Sequence, residues 1–249
     1  MPFYLILAVV FFVFLGSLTR STFGFGDSVI SMPLLALLPL PLSVAISLIG
    51  LTGLSVGLLA LFSSRKKVDR RILALLVAST LVGIPFGLYL VTHVPQENVT
   101  RILGVFLFVY GLYSLFKQRL SLELPEKWKN SSFLPLPFGL LSGILGSAYN
   151  MNGIPIVVYG TFRDWEMETF QSTLQSHFII SSLFVVFGQA LGGLWSKDLV
   201  ILFFASLPAI FLAHKLGQGI RRRLPIQQFE TLLFLFIMVL GVLLLSSVA

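Results

Sequence analysis

Long apolar stretches alternate with short polar segments along most of this chain. Apolar runs of membrane-spanning length lie near residues 44–62, 72–92, 98–116, 170–193, 199–216 and 226–247. A transmembrane helix needs about 20 such residues. Four shorter apolar stretches form two pairs, 3–18 with 28–41 and 134–146 with 153–162. We expect each pair to form a helical hairpin, either re-entrant or spanning the membrane in two pieces.

Glycine, asparagine and proline interrupt each of the two predicted hairpins. The first interruption covers residues 19–28 and the second covers residues 143–155. Unwound backbone at membrane depth is tolerated only where protein or a water-filled cavity satisfies its polar groups. Paired interruptions at corresponding positions of two halves are typical of a transporter's binding site. The two breaks are therefore predicted to line a cavity.

The two halves of the chain repeat. Gly24 stands nine positions before Pro33, and Gly146 stands nine positions before Pro155. The hydropathy pattern follows the same order in both halves. We predict an all-α integral membrane protein with two inverted repeats, each a broken hairpin followed by three transmembrane helices. The predicted units are a first repeat at 1–118, a cytoplasmic linker at 119–132 and a second repeat at 133–249.

Composition and charge favour a membrane protein with a defined orientation. Mean hydropathy is +0.96 and 11% of residues are charged, which excludes an ordinary soluble domain with about 25% charged residues.

Most of the 17 Lys and Arg residues lie in the segments 63–71, 117–132, 162–169 and 214–224. Short loops rich in Lys and Arg face the cytoplasm. We therefore expect a multi-pass protein of the inner (plasma) membrane with both termini outside.

Arg20 is the most informative polar residue, because it lies inside an apolar run beside the first break. A charge within a membrane segment costs about 2.5–3.5 kcal/mol on insertion scales and is a functional hypothesis by default. Arg20 either contacts an anion, reaches outward to the interface or pairs with Asp27. Asp27 is interpreted either as the N-cap of the helix after the break or as a carboxylate that couples transport to a proton or cation.

The breaks also expose the amino ends of two half-helices, expected to begin near residues 28 and 153. Free N–H groups and the positive end of the helix dipole make such ends anion sites, and we expect the two to meet near the bilayer midplane. Gln175 and His177 add side-chain donors, although two residues apart they do not share one helical face. The candidate substrate-binding residues are Arg20, Gly24, Gly26, Asp27, Ser28, Tyr149, Asn150, Asn152, Gly153, Gln175 and His177.

Several of these motifs resemble the TauE/SafE family over essentially the whole chain. The segments that carry the resemblance are Phe23-Gly24-Phe25-Gly26-Asp27, Lys67-Val68-Asp69-Arg70-Arg71, Gly83-x-Pro85-x-Gly87 and Gly153-Ile154-Pro155. The resemblance implies a secondary transporter with two inverted repeats. It also implies transport of sulfur-containing anions such as sulfite, or organosulfonates such as sulfoacetate. Related sequences usually have a glycine-rich run or Gly-Pro-Pro where this chain has residues 150–155.

The expected function is ion- or proton-coupled export of such an anion by alternating access. A passive anion channel, or a transporter of a small organic acid without sulfur, is the alternative. The sequence has no cysteine and no HExxH, GxSxG, Walker or CxxC pattern, so we expect no enzyme, catalytic residue, metal or cofactor. The expected partners are the small anion and the lipid bilayer, without nucleic acid. A homo-oligomer is compatible with the sequence.

Overall fold

The computed structural model describes residues 1–61, 68–117, 131–163, 165–221 and 226–247. Within these ranges the chain forms helices and no strand, which confirms the all-α prediction. The helices are α1 (Phe3–Phe23), α2 (Asp27–Ala36), α3 (Leu42–Leu61), α4 (Arg70–His93), α5 (Gln96–Lys117), α6 (Pro135–Tyr149), α7 (Gly153–Phe162), α8 (Met167–Leu191), α9 (Lys197–Arg221) and α10 (Ile226–Ser247).

The six apolar runs predicted as spans each form one helix, namely α3, α4, α5, α8, α9 and α10. Among the described residues, α1, α3, α4, α5, α8 and α9 are long and apolar enough to cross a membrane. Their outer faces carry large apolar side chains: Phe86, Phe187 and Phe204 are 61%, 61% and 64% exposed. Apolar exposure on this scale indicates contact with lipid. The chain is therefore a multi-pass membrane protein.

Both breaks are shorter than the sequence predicts. Helix α1 continues to Phe23 and α6 continues to Tyr149, which leaves residues 24–26 and 150–152 as the interruptions. With 21 residues, α1 is long enough to span a bilayer, so the expectation of a short first member in this hairpin is wrong. Helices α2, α6 and α7 have 10, 15 and 10 residues and are too short to span.

Local bonding explains why polar and glycine residues near the breaks remain helical. Thr19 Oγ1 donates to the Leu15 carbonyl at 2.9 Å, and Thr22 Oγ1 donates to the Leu18 carbonyl at 2.8 Å. Such bonds satisfy a buried hydroxyl within its own helix. Gly143 lies inside α6, where a Cβ would collide with the Thr80 carbonyl oxygen of α4. Gly143 therefore allows α6 to pack closely against α4 and does not interrupt the helix.

Each hairpin packs along one long helix. Helix α1 lies along α9, α6 lies along α4, and α5 pairs with α10. The α4–α6 crossing is built on small residues, with Gly83 and Gly87 on α4 facing Gly139 and Gly143 on α6. A Cβ on Gly83 would collide with the Leu140 carbonyl oxygen. Small residues let membrane helices approach closely, which maximises van der Waals contact.

Helices α3 and α8 lie between the two hairpins. Helix α3 contacts α1, α2, α8 and α9, and α8 contacts α3, α4, α6 and α7. Both breaks therefore lie against the same two helices, which fixes their relative positions. Most of the predicted linker 119–132, and the basic residues Arg65, Lys66 and Lys67, lie outside the described residues.

Candidate functional site

The first break is organised by an ion pair between α1 and α2. Arg20 Nη1 donates to Asp27 Oδ2 at 2.7 Å, and the two side chains are 6% and 16% exposed. In the described part of the chain this is the guanidinium's one hydrogen bond. Of the three alternatives for Arg20, pairing with Asp27 is the one that the structure shows. Desolvation offsets much of the Coulomb attraction in a buried ion pair, so such a pair adds little to the stability of the fold. A role in function explains this pair better than a role in stability.

Two glycines of α3 make room for this ion pair. A Cβ on Gly53 would stand 2.9 Å from Asp27 Oδ2 and 3.3 Å from Arg20 Nη1, and a Cβ on Gly57 would stand 3.1 Å from Arg20 Nη2. The sequence analysis missed both residues. Their signal was present as Gly50, Gly53 and Gly57, spaced three and four apart on one helical face.

Phe178 of α8 lies between Arg20 and the amino end of α7. The Arg20 Cζ atom is 5.0 Å from the ring centroid, within the range of a cation–π contact. The edge of the same ring presses on Gly153, where an added Cβ would collide with it. The amino ends of α2 and α7 are thus separated by the Arg20 guanidinium and the Phe178 ring. Phe178 was also missed, because a buried Phe in an apolar helix carries no distinguishing sequence signal.

Asp27 is the first residue of α2 and not its N-cap. Gly26 holds the cap position with a φ of 96°, and no side chain among the described residues bonds to the free N–H groups. A left-handed φ favours glycine, and the Asp27 carboxylate bonds to Arg20 because charge-assisted bonds are the stronger ones. The capping interpretation of Asp27 is therefore wrong. Ser28 follows it in α2 and is buried.

Gln175 of α8 holds the other side of the first break. Gly24 has a φ of 89°, and its N–H donates to the Arg20 carbonyl at 2.7 Å. The Gly24 carbonyl accepts a hydrogen bond from Gln175 Nε2 at 2.6 Å. Gln175 Oε1 is buried and has no partner among the described residues. Helix α8 therefore bonds directly to the tip of the first hairpin.

The second break carries amide side chains, whereas the first is flanked by the charged pair of Arg20 and Asp27. Asn150 caps α6 in the left-handed region at φ 57°, a conformation that Asn adopts more readily than most residues. Its Nδ2 donates to the Ile46 carbonyl of α3, and its Oδ1 accepts from Gln189 Nε2 of α8 at 3.4 Å. Gln189 was not among the candidate residues, although a Gln inside an apolar span is a visible signal.

Asn152 joins the second break to α6 and α8. Its Nδ2 donates to Ser181 Oγ at 2.7 Å, and its carbonyl accepts from Ser142 Oγ at 2.6 Å. Gly153 follows as the first residue of α7. All these groups are buried, so the bonds satisfy backbone and side chains that water does not reach.

Tyr149 and His177 bond to elements away from the ion pair. The Tyr149 hydroxyl donates to the Val99 carbonyl of α5 at 2.9 Å. His177 Nε2 lies 3.0 Å from Thr80 Oγ1 at the α4–α6 crossing. Gln175 and His177 therefore face different neighbours, as their spacing predicts. No group of three or more His, Cys, Asp or Glu residues that could hold a metal occurs in the described ranges.

The two breaks contact different levels of α3 and α8. The first lies beside Gly53, Gly57 and Gln175, and the second lies beside Gly50 and Gln189. At a rise of about 1.5 Å per residue, Gln175 and Gln189 are ~21 Å apart along α8. The two turns thus lie at different levels along α8, while the Phe178 ring contacts Arg20 on one side and Gly153 of α7 on the other.

Comparison with known families agrees with this architecture. A model described as sulfite exporter TauE/SafE matches residues 9–244. Comparison with curated proteins gives no match, and comparison with solved structures gives none either. The family match covers nearly the whole chain, including both breaks and all of the candidate residues. The chain therefore belongs to the TauE/SafE family of membrane transporters.

Proposed function

We propose that this chain is an ion-coupled secondary transporter that exports a small sulfur-containing anion, such as sulfite or an organosulfonate like sulfoacetate, by alternating access. The observation that carries the proposal is the buried Arg20 at the first break, with one hydrogen bond among the described residues. A guanidinium has five N–H donors in a planar fork that fits oxyanions. Arg20 therefore has donors to offer an anion.

The proposed anion site contains Arg20, the first break and the amino ends of two half-helices. Gly24, Gly26, Asp27 and Ser28 form one side, and Gly153 begins the other. Helix amino ends stabilise negative charge through free N–H groups and the dipole. Gln175 positions the first break through Gly24. In this proposal Tyr149, Asn150, Asn152 and His177 hold the second hairpin in place and do not contact the anion.

The ion pair suggests how anion binding is coupled to a proton. An anion that bonds to Arg20 competes with the Asp27 carboxylate for the same guanidinium. Asp27 then loses its partner in a buried position, where an unpaired charge is costly. Taking up a proton removes that cost, so binding of the anion favours protonation of Asp27. Release of the anion restores the pair and releases the proton.

Alternating access is supported by the unequal levels of the two breaks. Each break bonds to a glutamine nearer to one end of α8, Gln175 or Gln189. Movement of one hairpin relative to α8 opens the site toward one side, while the other hairpin keeps the opposite side closed. We also propose that this occurs in the inner membrane with both termini outside, as the distribution of Lys and Arg predicts.

Calorimetry on purified protein tests the anion site. We expect sulfite or sulfoacetate to bind the wild type, and Arg20→Gln to weaken binding about ten- to hundredfold, because a charge-assisted hydrogen bond contributes about 1.5–3 kcal/mol. Arg20→Lys keeps the charge and loses the planar fork, so we expect an intermediate affinity. Lys197→Gln removes an exposed charge elsewhere and serves as the control.

Two further measurements make the test decisive. The double variant Arg20→Gln with Asp27→Asn contains no buried unpaired carboxylate, so loss of binding there is not attributable to such a charge. Counterflow in proteoliposomes separates a carrier, which exchanges labelled for unlabelled anion, from a channel, which only dissipates the gradient. Equal binding by the wild type and both Arg20 variants contradicts the proposed site, and absence of counterflow contradicts alternating access.

A further inference from the structure

Gln189 is a fully buried side chain with an unused acceptor. It is 0% exposed, and its Oε1 atom has no hydrogen-bond partner among the described residues. Its Nε2 atom donates to the Ser147 carbonyl at 3.3 Å and to Asn150 Oδ1 at 3.4 Å. These two bonds fix the orientation of the amide. A buried acceptor without a partner lowers the stability of the folded state. A bound ligand at this oxygen would remove that cost.

A second oxygen lies beside it, over a glycine of α3. A Cβ on Gly50 would stand 2.8 Å from Gln189 Oε1 and 2.9 Å from Asn150 Oδ1. Both oxygens therefore lie close against the Gly50 backbone, where any side chain would collide with them. Asn150 Nδ2 already donates to the Ile46 carbonyl, which holds its Oδ1 in this direction.

The charge around these oxygens favours a cation. Asn150 caps the carboxyl end of α6, and the carboxyl end of a helix carries partial negative charge. The described residues that lie around these two side chains are neutral, namely Ile46, Gly50, Ser147 and Val186. The first break lies beside the positively charged side chain of Arg20. The second break has neutral oxygen acceptors and no positively charged side chain.

We infer that Asn150 Oδ1 and Gln189 Oε1, over Gly50 at the carboxyl end of α6, bind a monovalent cation of the size of sodium. Carbonyl-type oxygens at a broken helix end are suited to an alkali cation, and the absence of a carboxylate from the pair suits a single charge better than a divalent ion. His, Cys, Asp and Glu spacing does not reveal such a site, which explains why the sequence analysis expected no metal.

The role in transport rests on the proposed function, whereas binding itself does not. A cation here bonds to Asn150, at the carboxyl end of α6, and to Gln189 of α8, and it lies beside Gly50 of α3. It therefore stabilises the arrangement in which the second hairpin is closed on α8. Leaving the site would release that hairpin, which gives the transporter a second coupling ion besides the Asp27 proton.

A thermal-shift titration on purified protein tests the site. Sodium gluconate is compared with choline gluconate at equal ionic strength, without sulfite. Because a ligand of the folded state raises Tm by mass action, we expect a saturable increase with sodium in the wild type. Gly50→Ala places a methyl group against both oxygens, and Gln189→Met removes one of them. Each is expected to raise the half-saturating sodium concentration at least tenfold.

Controls keep the outcome clear. Gly219→Ala adds a methyl that meets nothing within 4 Å, so its sodium response should equal that of the wild type. Gln189→Glu keeps the oxygen and adds charge, so sodium should bind at least as tightly. A choline sulfite titration of the same samples reports the Arg20 site separately. A wild type that responds equally to sodium and choline, while still responding to sulfite, overturns the cation site and leaves the proposed function standing.

Discussion

The Arg20 guanidinium carbon lies 5.0 Å from the centre of the Phe178 ring, so an aromatic face covers the one charged donor of the proposed anion site. The ring edge also presses on Gly153 at the start of α7. An anion that touches both Arg20 and the amino end of α7 must therefore occupy space that the ring now holds. This makes Phe178 the residue expected to limit the size of the anion.

Replacing Phe178 by leucine should relax that limit. We expect the affinity for sulfoacetate to rise relative to that for sulfite, because the smaller side chain leaves space beside Arg20. The variant should also be less stable, since a buried cation–π contact contributes about 2 kcal/mol. Calorimetry with both anions and a Tm measurement check the two effects. Phe187→Leu changes a lipid-facing residue of the same helix, so a similar shift in that control contradicts the prediction.

Breaking the ion pair from one side should cost more than removing both partners. Asp27→Asn leaves Arg20 buried without a countercharge, and loss of one partner of a buried pair typically costs about 3–5 kcal/mol. Arg20→Met combined with Asp27→Asn leaves no unpaired charge, so we expect it to recover much of that loss. Thermal unfolding of the single and double variants measures the difference. Additive losses would mean that the two side chains do not interact in the folded protein.

Asp27→Asn also tests coupling. In the proposed mechanism the anion displaces Asp27 from Arg20 and the freed carboxylate takes a proton. Asn cannot take up that proton, so transport in proteoliposomes should become independent of an imposed pH gradient. Sulfite binding without a gradient should persist, because Arg20 remains. A transport rate that still follows the pH gradient in this variant contradicts the role of Asp27 in coupling.

The sequence predicted the helices well because their signal is strong. A long apolar run in a membrane protein has few alternatives to a helix, since its backbone must bond internally. The breaks were harder to delimit. Gly143 and Gly24 look alike in the sequence, yet Gly143 provides close packing in α6 and Gly24 turns the chain at a positive φ.

The candidate site was predicted in part, for a similar physical reason. Arg20 stands out because a charge in an apolar run is unusual. Its neighbours Phe178 and Gly53 do not stand out, since Phe and Gly are common in membrane helices. Their role follows from which helix faces which, and that depends on contacts between distant segments. The hydrogen-bond partners of Tyr149 (Val99) and His177 (Thr80) likewise depend on the packing of helices that are distant in the sequence. No local sequence pattern predicts them.

The α4–α6 crossing should be sensitive to a single methyl group. A Cβ on Gly83 would collide with the Leu140 carbonyl oxygen, and overpacking of this kind typically costs about 1–3 kcal/mol. We therefore expect Gly83→Ala to lower Tm, although alanine favours helix more than glycine. Gly219→Ala, in an open position of α9, should leave Tm unchanged or raise it. Equal Tm changes in the two variants would contradict the tight crossing.

The absence of cysteine from the chain allows a direct test of orientation. Ser64→Cys places one thiol in the basic segment 63–71, which is predicted from the sequence as a cytoplasmic loop by the positive-inside rule. Ser246→Cys places one near the carboxyl terminus, which the same topology puts outside. In intact cells an impermeant thiol reagent should label position 246 and spare position 64. Labelling of position 64 should appear only after the inner face is exposed, and labelling of that site from outside contradicts the predicted topology.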